Sequence, residues 1–206
     1  ELHVAGDVKL HGDAPEITVR RDDNADASTI QFQGSGGVVG AYVKFLGDES
    51  GAGGTNNDLA LGTGATVTER MRIRGDGKVG IGTQAPSTTL SVAGSLSLNV
   101  TAIDKNNNNS STYTVGATDY AIFANTRPAA QNGINSALTI TLPLAGDYPG
   151  RILVLKDAGG YVATNSITIQ RAGSDMIDGS QTSIVISNDN DAITLMSNGG
   201  TMWFTL

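Results

Sequence analysis

The sequence predicts an all-β protein in two parts: a glycine-rich region of short strands over residues 1–98 and a β-sandwich-like or jelly-roll-like domain over residues 113–206. A polar linker at 99–112 is expected between them. Three observations lead there. Of 206 residues 27 are glycine and only 5% are aromatic, a composition that suits strands and turns and gives packed helices too few large side chains. Apolar residues recur at every second position in short runs along the chain, the period of a strand with one buried face. Between the runs stand stretches rich in Gly, Asn and Asp, which carry turn chemistry.

In the first part, Leu2-His3-Val4-Ala5-Gly6-Asp7-Val8-Lys9-Leu10 and Leu90-Ser91-Val92-Ala93-Gly94-Ser95-Leu96-Ser97-Leu98 share the pattern Leu-x-Val-Ala-Gly-x-(Val/Leu)-x-Leu, which reads as one module used twice. Because the first copy begins at residue 2, the chain is expected to be a piece of a longer protein. Strand-like runs follow at 16–20, 29–33, 41–45 and 69–74, separated by turns such as Gly34-Ser35-Gly36-Gly37 and the stretch 47–54. These strands are short and weakly apolar. Ordering a residue's backbone costs roughly 1–2 kcal/mol, and so few large side chains cannot offset that by burial within one copy. Partner chains are therefore expected to complete the core.

The stretch 99–112, with Asn106 to Asn109 at its centre, breaks the apolar periodicity and reads as a boundary. From Tyr113 the pattern is firmer, with about seven strands predicted at 119–124, 137–142, 151–156, 166–170, 182–186, 192–196 and 201–206. Pro149-Gly150, Ala158-Gly159-Gly160, Asp178-Gly179 and Asn198-Gly199-Gly200 mark turns between them at the spacing of a sandwich or jelly roll.

Charge and composition exclude several classes. A net charge of −7 opposes a groove that neutralises phosphates, so nucleic acid is not an expected partner. With no cysteine there are neither disulfides nor thiolate metal sites. No window approaches the roughly 18 apolar residues of a membrane span, so membrane insertion is not expected.

The run from Thr68 to Gly94 places a Glu-Arg-Met-Arg-Ile strand, an Asp-Gly turn, Val79-Gly80-Ile81-Gly82-Thr83, Pro86 and a Leu-x-Val-x-Gly strand in order. It resembles the shaft element that recurs in bacteriophage tail fibres and tailspikes. The segment from Leu138 onward is similar to C-terminal domains of such fibres, through Thr139 to Pro143, Gly150 to Asp157, Ile167 to Ile169, Ile177 to Gly179 and Gly200 to Trp203. The resemblance implies an elongated, interwoven homotrimeric β shaft with a host-recognition tip. It places the protein in the virion, outside the cell, with bacterial surface polysaccharide or lipopolysaccharide as ligand and other tail proteins as partners through an upstream segment. Gly80 and Gly82 would let three backbones approach a crowded axis around Ile81. A polysaccharide depolymerase and a purely structural fibre or head-fibre segment are the alternatives.

Candidate chemistry is sparse. Gly80-Ile81-Gly82-Thr83-Gln84-Ala85 fits the dinucleotide fingerprint, but Pro86 and the Leu90-x-Val92 strand stand where a helix is required. Arg74-Gly75-Asp76 reads as the start of an Asp-Gly hairpin turn. His3 and His11 are the two histidines and both lie near the N-terminus, so no catalytic triad is expected, and no metal or cofactor. Paired carboxylates at Asp175 with Asp178 and Asp189 with Asp191 fit turns as well as they fit glycoside hydrolysis, and no catalytic residue is assigned. A calcium ion at Asn188 to Asp191 is weighed against the same turn reading. For glycan binding the candidates are Tyr148 and Tyr161, which fall in loops, and Trp203, which is open to a place in the core, at a trimer interface or on a binding platform.

Overall fold

A computed structural model of the chain describes residues 28–34, 37–47, 57–64, 66, 68–104 and 106–206. The first repeat copy at 2–10, the strand expected at 16–20, and His3 and His11 lie outside the described residues. The chain divides into two compact units, Glu1–Leu96 and Ser97–Leu206. Strand accounts for 45% of the structure and helix for 4%, so the all-β expectation holds.

The described residues of the first unit form one six-stranded sheet. Its strands are β1 (Ser28–Gln33), β2 (Val39–Leu46), β3 (Asp58–Thr63), β4 (Thr68–Ile73), β5 (Val79–Ile81) and β6 (Leu90–Val92), lying side by side in chain order. Pairing is antiparallel up to β5, and β6 then runs parallel to β5. Each described strand of this sheet pairs with its neighbours in the chain. Between β4 and β5, Arg74 N–H donates to Lys78 O at 2.8 Å and Gly77 takes a φ of 84°, so Arg74-Gly75-Asp76 is part of a hairpin turn.

Register sorts the side chains. One row crosses all six strands as Ile30, Val43, Leu61, Met71, Ile81 and Val92, and the next runs Phe45, Leu59, Ile73, Val79 and Leu90. These two rows are apolar, a third on the same face runs Phe32, Ala41, Thr63 and Thr68, and Phe32 is 58% exposed, Leu90 58% and Ile81 44%. The opposite face carries Thr29, Lys44, Ala60, Arg72, Gly80 and Ser91 in one row and Gln31, Tyr42, Gly62 and Glu69 in another. It is covered by its own polar groups. Arg72 pairs with buried Asp58 at 3.0 Å and with Glu69 at 2.8 Å. Both bonds, led by that to Glu69, raise the pKa of the guanidinium and keep it charged.

The two shaft glycines have local reasons within this sheet. A Cβ on Gly80 would stand 2.2 Å from Thr83 O, and Gly82 has a φ of 70°. Tight folding of one chain onto itself therefore accounts for both.

The second unit has two sheets. Its strands are β7 (Val100–Ile103), β8 (Thr112–Thr114), β9 (Ala121–Ala124), β10 (Leu138–Thr141), β11 (Ile152–Asp157), β12 (Ile167–Gln170), β13 (Met176–Ile177), β14 (Ser183–Ile186), β15 (Ala192–Ser197) and β16 (Met202–Thr205). One sheet has the order β13-β16-β15-β11-β9-β7 and the other β14-β12-β10-β8. From β7 to β12 the chain alternates between sheets and returns each time parallel, β7 to β9 to β11 in one and β8 to β10 to β12 in the other. A jelly roll is wholly antiparallel, so this part is instead a two-sheet coil closed by the antiparallel strands β14, β15 and β16. Parallel neighbours need a long crossover, and here the crossover is a strand of the facing sheet.

The stretch expected as a linker supplies β7 and the start of β8. Val100-Thr101-Ala102-Ile103 is too short to show periodicity beside the Asn run, but Ile103 is fully buried in the core. That core is one cluster fed by both sheets, with Leu138, Ile140, Ile167, Ile169 and Ile186 meeting Ile122, Leu153, Leu155, Leu195 and Trp203. Outside it the two sheets differ. The smaller one turns outward a ladder of Thr112, Thr139, Thr168 and Val185 beside Thr114, Thr141 and Gln170, with Val185 50% exposed. The larger one turns outward Ile152, Met196 and Phe204 in one row, Val100, buried Ala121, Val154 and Thr194 in the next, and Phe123 beside Lys156.

Candidate functional site

The candidate site residues of the second unit are distributed about β11. Tyr148 follows the 3-10 turn Ala145–Asp147, which precedes β11, and Pro149 and Gly150 (φ 72°) then turn the chain into that strand. The Arg151 guanidinium lies 4.5 Å from the centre of the Tyr148 ring, a cation–π contact that holds the half-buried ring at the surface. Arg151 Nη2 also donates to Gly116 O and Asp119 O, each at 2.6 Å, tying the turn before β9 to the turn before β11. Arg151 Nη1 is buried without a hydrogen-bond partner.

Asp119 anchors this end of the unit. Its Oδ2 accepts from Tyr113 Oη at 2.7 Å and Gly116 N at 2.8 Å, and its Oδ1 accepts from Thr101 Oγ1. Burial pushes the carboxyl up, but these donors and the nearby Arg151 charge outweigh it and hold the group below the ordinary carboxylate range. Burial and the bond to Asp119 push the Tyr113 phenol up to about 12. Tyr148, Arg151, Asp119 and Tyr113 thus form one polar end, with two half-buried tyrosine rings, of which Tyr113 packs against the core.

Tyr161 lies beyond the opposite end of β11, after Gly159-Gly160. Six strand residues at about 3.3 Å each separate it from Tyr148, so the two tyrosines share no site. Around it, buried Asp157 accepts from Gly159 N, Gly160 N and Asn190 N, all within 3.0 Å. Ala163 N donates to Asp189 Oδ1 at 3.0 Å, fastening the Tyr161 loop to the loop before β15.

Trp203 belongs to the core. It is completely buried, and its indole N–H donates to Pro143 O at 3.1 Å, which removes it from any binding surface of this unit. Alternation along β16 turns its neighbours Met202 and Phe204 outward instead.

The carboxylate pairs accept hydrogen bonds, mostly from residues distant in sequence. Asp175 accepts from Ala145 N at 2.7 Å, Asp178 from Thr205 N and Oγ1, and Asp191 from Asn188 Nδ2. Arg151, Asp119 and Tyr113 escaped the sequence reading; Arg151 directly after the Pro149-Gly150 turn, beside Tyr148, was the one available signal. Among the described residues no helix is long and apolar enough to cross a membrane. No protein-family model matches the chain, and no curated protein matches it.

Proposed function

We propose that the chain is a segment of a homotrimeric bacteriophage tail fibre or tailspike, elongated as a whole, that presents a surface binding bacterial polysaccharide or lipopolysaccharide. One observation supports the reading: among the described residues each unit has a six-stranded sheet with one largely apolar, part-exposed face, broken only by Thr63 and Thr68 in the first unit and by Thr194 and Lys156 in the second. Contiguous apolar surface of that extent is characteristic of an interaction site. Both faces are nearly free of charge, with Lys156 the one ionic group on the second. Three copies meeting through matching faces would bury them in one closed assembly. In this assembly sheet faces stack and strands stay with their own chain.

Recognition is assigned to the polar surface left outside, with Tyr148 as the first ring to test and Tyr161 as a separate second. Three weak sites on one trimer would gain avidity from simultaneous contact. The separation of Tyr148 from Tyr161, and the burial of Trp203, favour a second reading as a structural fibre segment whose receptor-binding part is elsewhere. Depolymerase activity gains no support from carboxylates already engaged in hydrogen bonds that tie distant loops and strands together.

Light scattering coupled to size exclusion tests the assembly and should give three times 21.1 kDa; a clean monomer would sink it. A glycan array with the assembled protein separates recognition from the structural reading, since binding lost in Tyr148→Ala or Tyr161→Ala supports the former.

A further inference from the structure

The polar face of the first unit carries a groove at its β1–β2 end. It encloses about 300 Å³ and is lined by Thr29, Gln31, Val39, Tyr42 and Lys44. That volume lies at the lower end of the roughly 300–1,000 Å³ typical of small-ligand sites. Four of the lining residues are two adjacent cross-strand pairs on one face, Thr29 opposite Lys44 and Gln31 opposite Tyr42. Directly opposed side chains start about 5 Å apart, and successive pairs on one face about 7 Å apart. A hydroxyl, an amide, a phenol ring and an ammonium therefore converge on a patch the size of one sugar ring.

The ring of Tyr42 is held in place by the absence of a side chain beside it. A Cβ on Gly62 would stand 2.2 Å from Tyr42 Cε1 and 2.3 Å from Cζ, so the ring fills the space above Gly62. One side of the ring is thereby taken by the strand, while another borders the groove. Burial and the neighbouring Glu69 raise the phenol pKa, so its O–H remains a donor throughout the neutral range. The other charges of this face are spoken for: Arg72 pairs with Asp58 and Glu69, outside the groove lining.

We propose that this groove binds a carboxylate-bearing sugar residue, a uronic acid within a polysaccharide. The apolar face of the pyranose lies against Tyr42 and Val39, the carboxylate meets Lys44, and the ring hydroxyls meet Gln31 and Thr29. An aromatic ring with one ammonium matches a sugar carrying one negative charge, whereas a phosphate polyanion calls for several cations or an Arg fork. The assignment rests on the host-surface reading only for the source of the sugar.

The test is calorimetry or saturation-transfer NMR with the full chain at low salt, using oligogalacturonate, glucuronate oligomers and the methyl ester of oligogalacturonate, with particle mass recorded for every sample. The native protein should bind at least one acidic oligomer. Lys44→Met should weaken acid binding roughly tenfold, the loss of one charge-assisted contact, and leave the ester unchanged. Lys44→Arg should restore the acid preference, and Tyr42→Ala should remove both. Absence of binding to either acid by the native protein overturns the proposal, as does a Lys44→Met variant with undiminished acid binding. Particle mass keeps the outcomes apart: a trimer that ignores uronates refutes the groove alone, and a monomer that binds them refutes the assembly alone.

Discussion

Trp203 shows how far a single side chain can be misplaced by residue type alone. Aromatic rings are scarce in this chain, and Trp203 stood with Tyr148 and Tyr161 as a candidate sugar platform; yet it lies in the core. Trp203→Ala should destabilise the second unit by roughly 3–5 kcal/mol through the cavity it leaves, read as a lowered midpoint in thermal or denaturant unfolding. Tyr113 and Asp119 give this unit a pH signature. The folded-state pKa of Asp119 is lowered, so its contribution is present above the unfolded carboxylate value near 3.9 and fades as pH falls below it. The folded-state pKa of Tyr113 is raised, so its contribution is complete below an unfolded value near 10 and is lost as pH climbs towards about 12. Unfolding titrations should show both slopes, with Tyr113→Phe removing the alkaline one.

At the level of strands, the salt-bridged trio of Asp58, Glu69 and Arg72 joins β3 to β4 on the polar face of the first sheet. Arg72→Met should cost roughly 2–4 kcal/mol, because it strands a buried carboxylate, and added salt should change native stability little. A strongly salt-dependent native midpoint would argue against this. The strands that the sequence declared were those with clear alternation: β1, β2, β4 and all seven expected after Tyr113 appear within a few residues of their expected bounds. The strands missed were β3, β5, β7, β8 and β13. Asp58-Leu59-Ala60-Leu61-Gly62-Thr63 puts small Ala60 and Gly62 on its polar face, which blurs the alternation. β5 has three residues with Gly80 at its centre, and β7, β8 and β13 have four or fewer and draw their place from partners distant in sequence. The same limit hid the site. Arg151 meets Asp119 only because the coil stacks turn on turn, whereas loop positions for Tyr148 and Tyr161 could be inferred from adjacent Pro and Gly.

For the whole molecule, the apolar sheet faces set the strongest expectation. Ile81→Glu puts a charge into the apolar row of the first unit, between Met71 and Val92, and should shift the particle mass towards 21.1 kDa, with circular dichroism still that of a β protein. Retention of the native mass would show that this face is not where copies meet. The winding of the second unit from sheet to sheet also bears on time. Neighbouring parallel strands there are never consecutive in the chain, so no hairpin can seed the coil, and each ladder must wait until an intervening strand has crossed and come back. Such a topology has high contact order, and refolding from denaturant should take milliseconds to seconds or longer, against microseconds for a helical bundle of equal length. Slow maturation of this kind leaves raw sheet edges open to stray pairing, so yield in the test tube should fall as protein concentration rises during refolding.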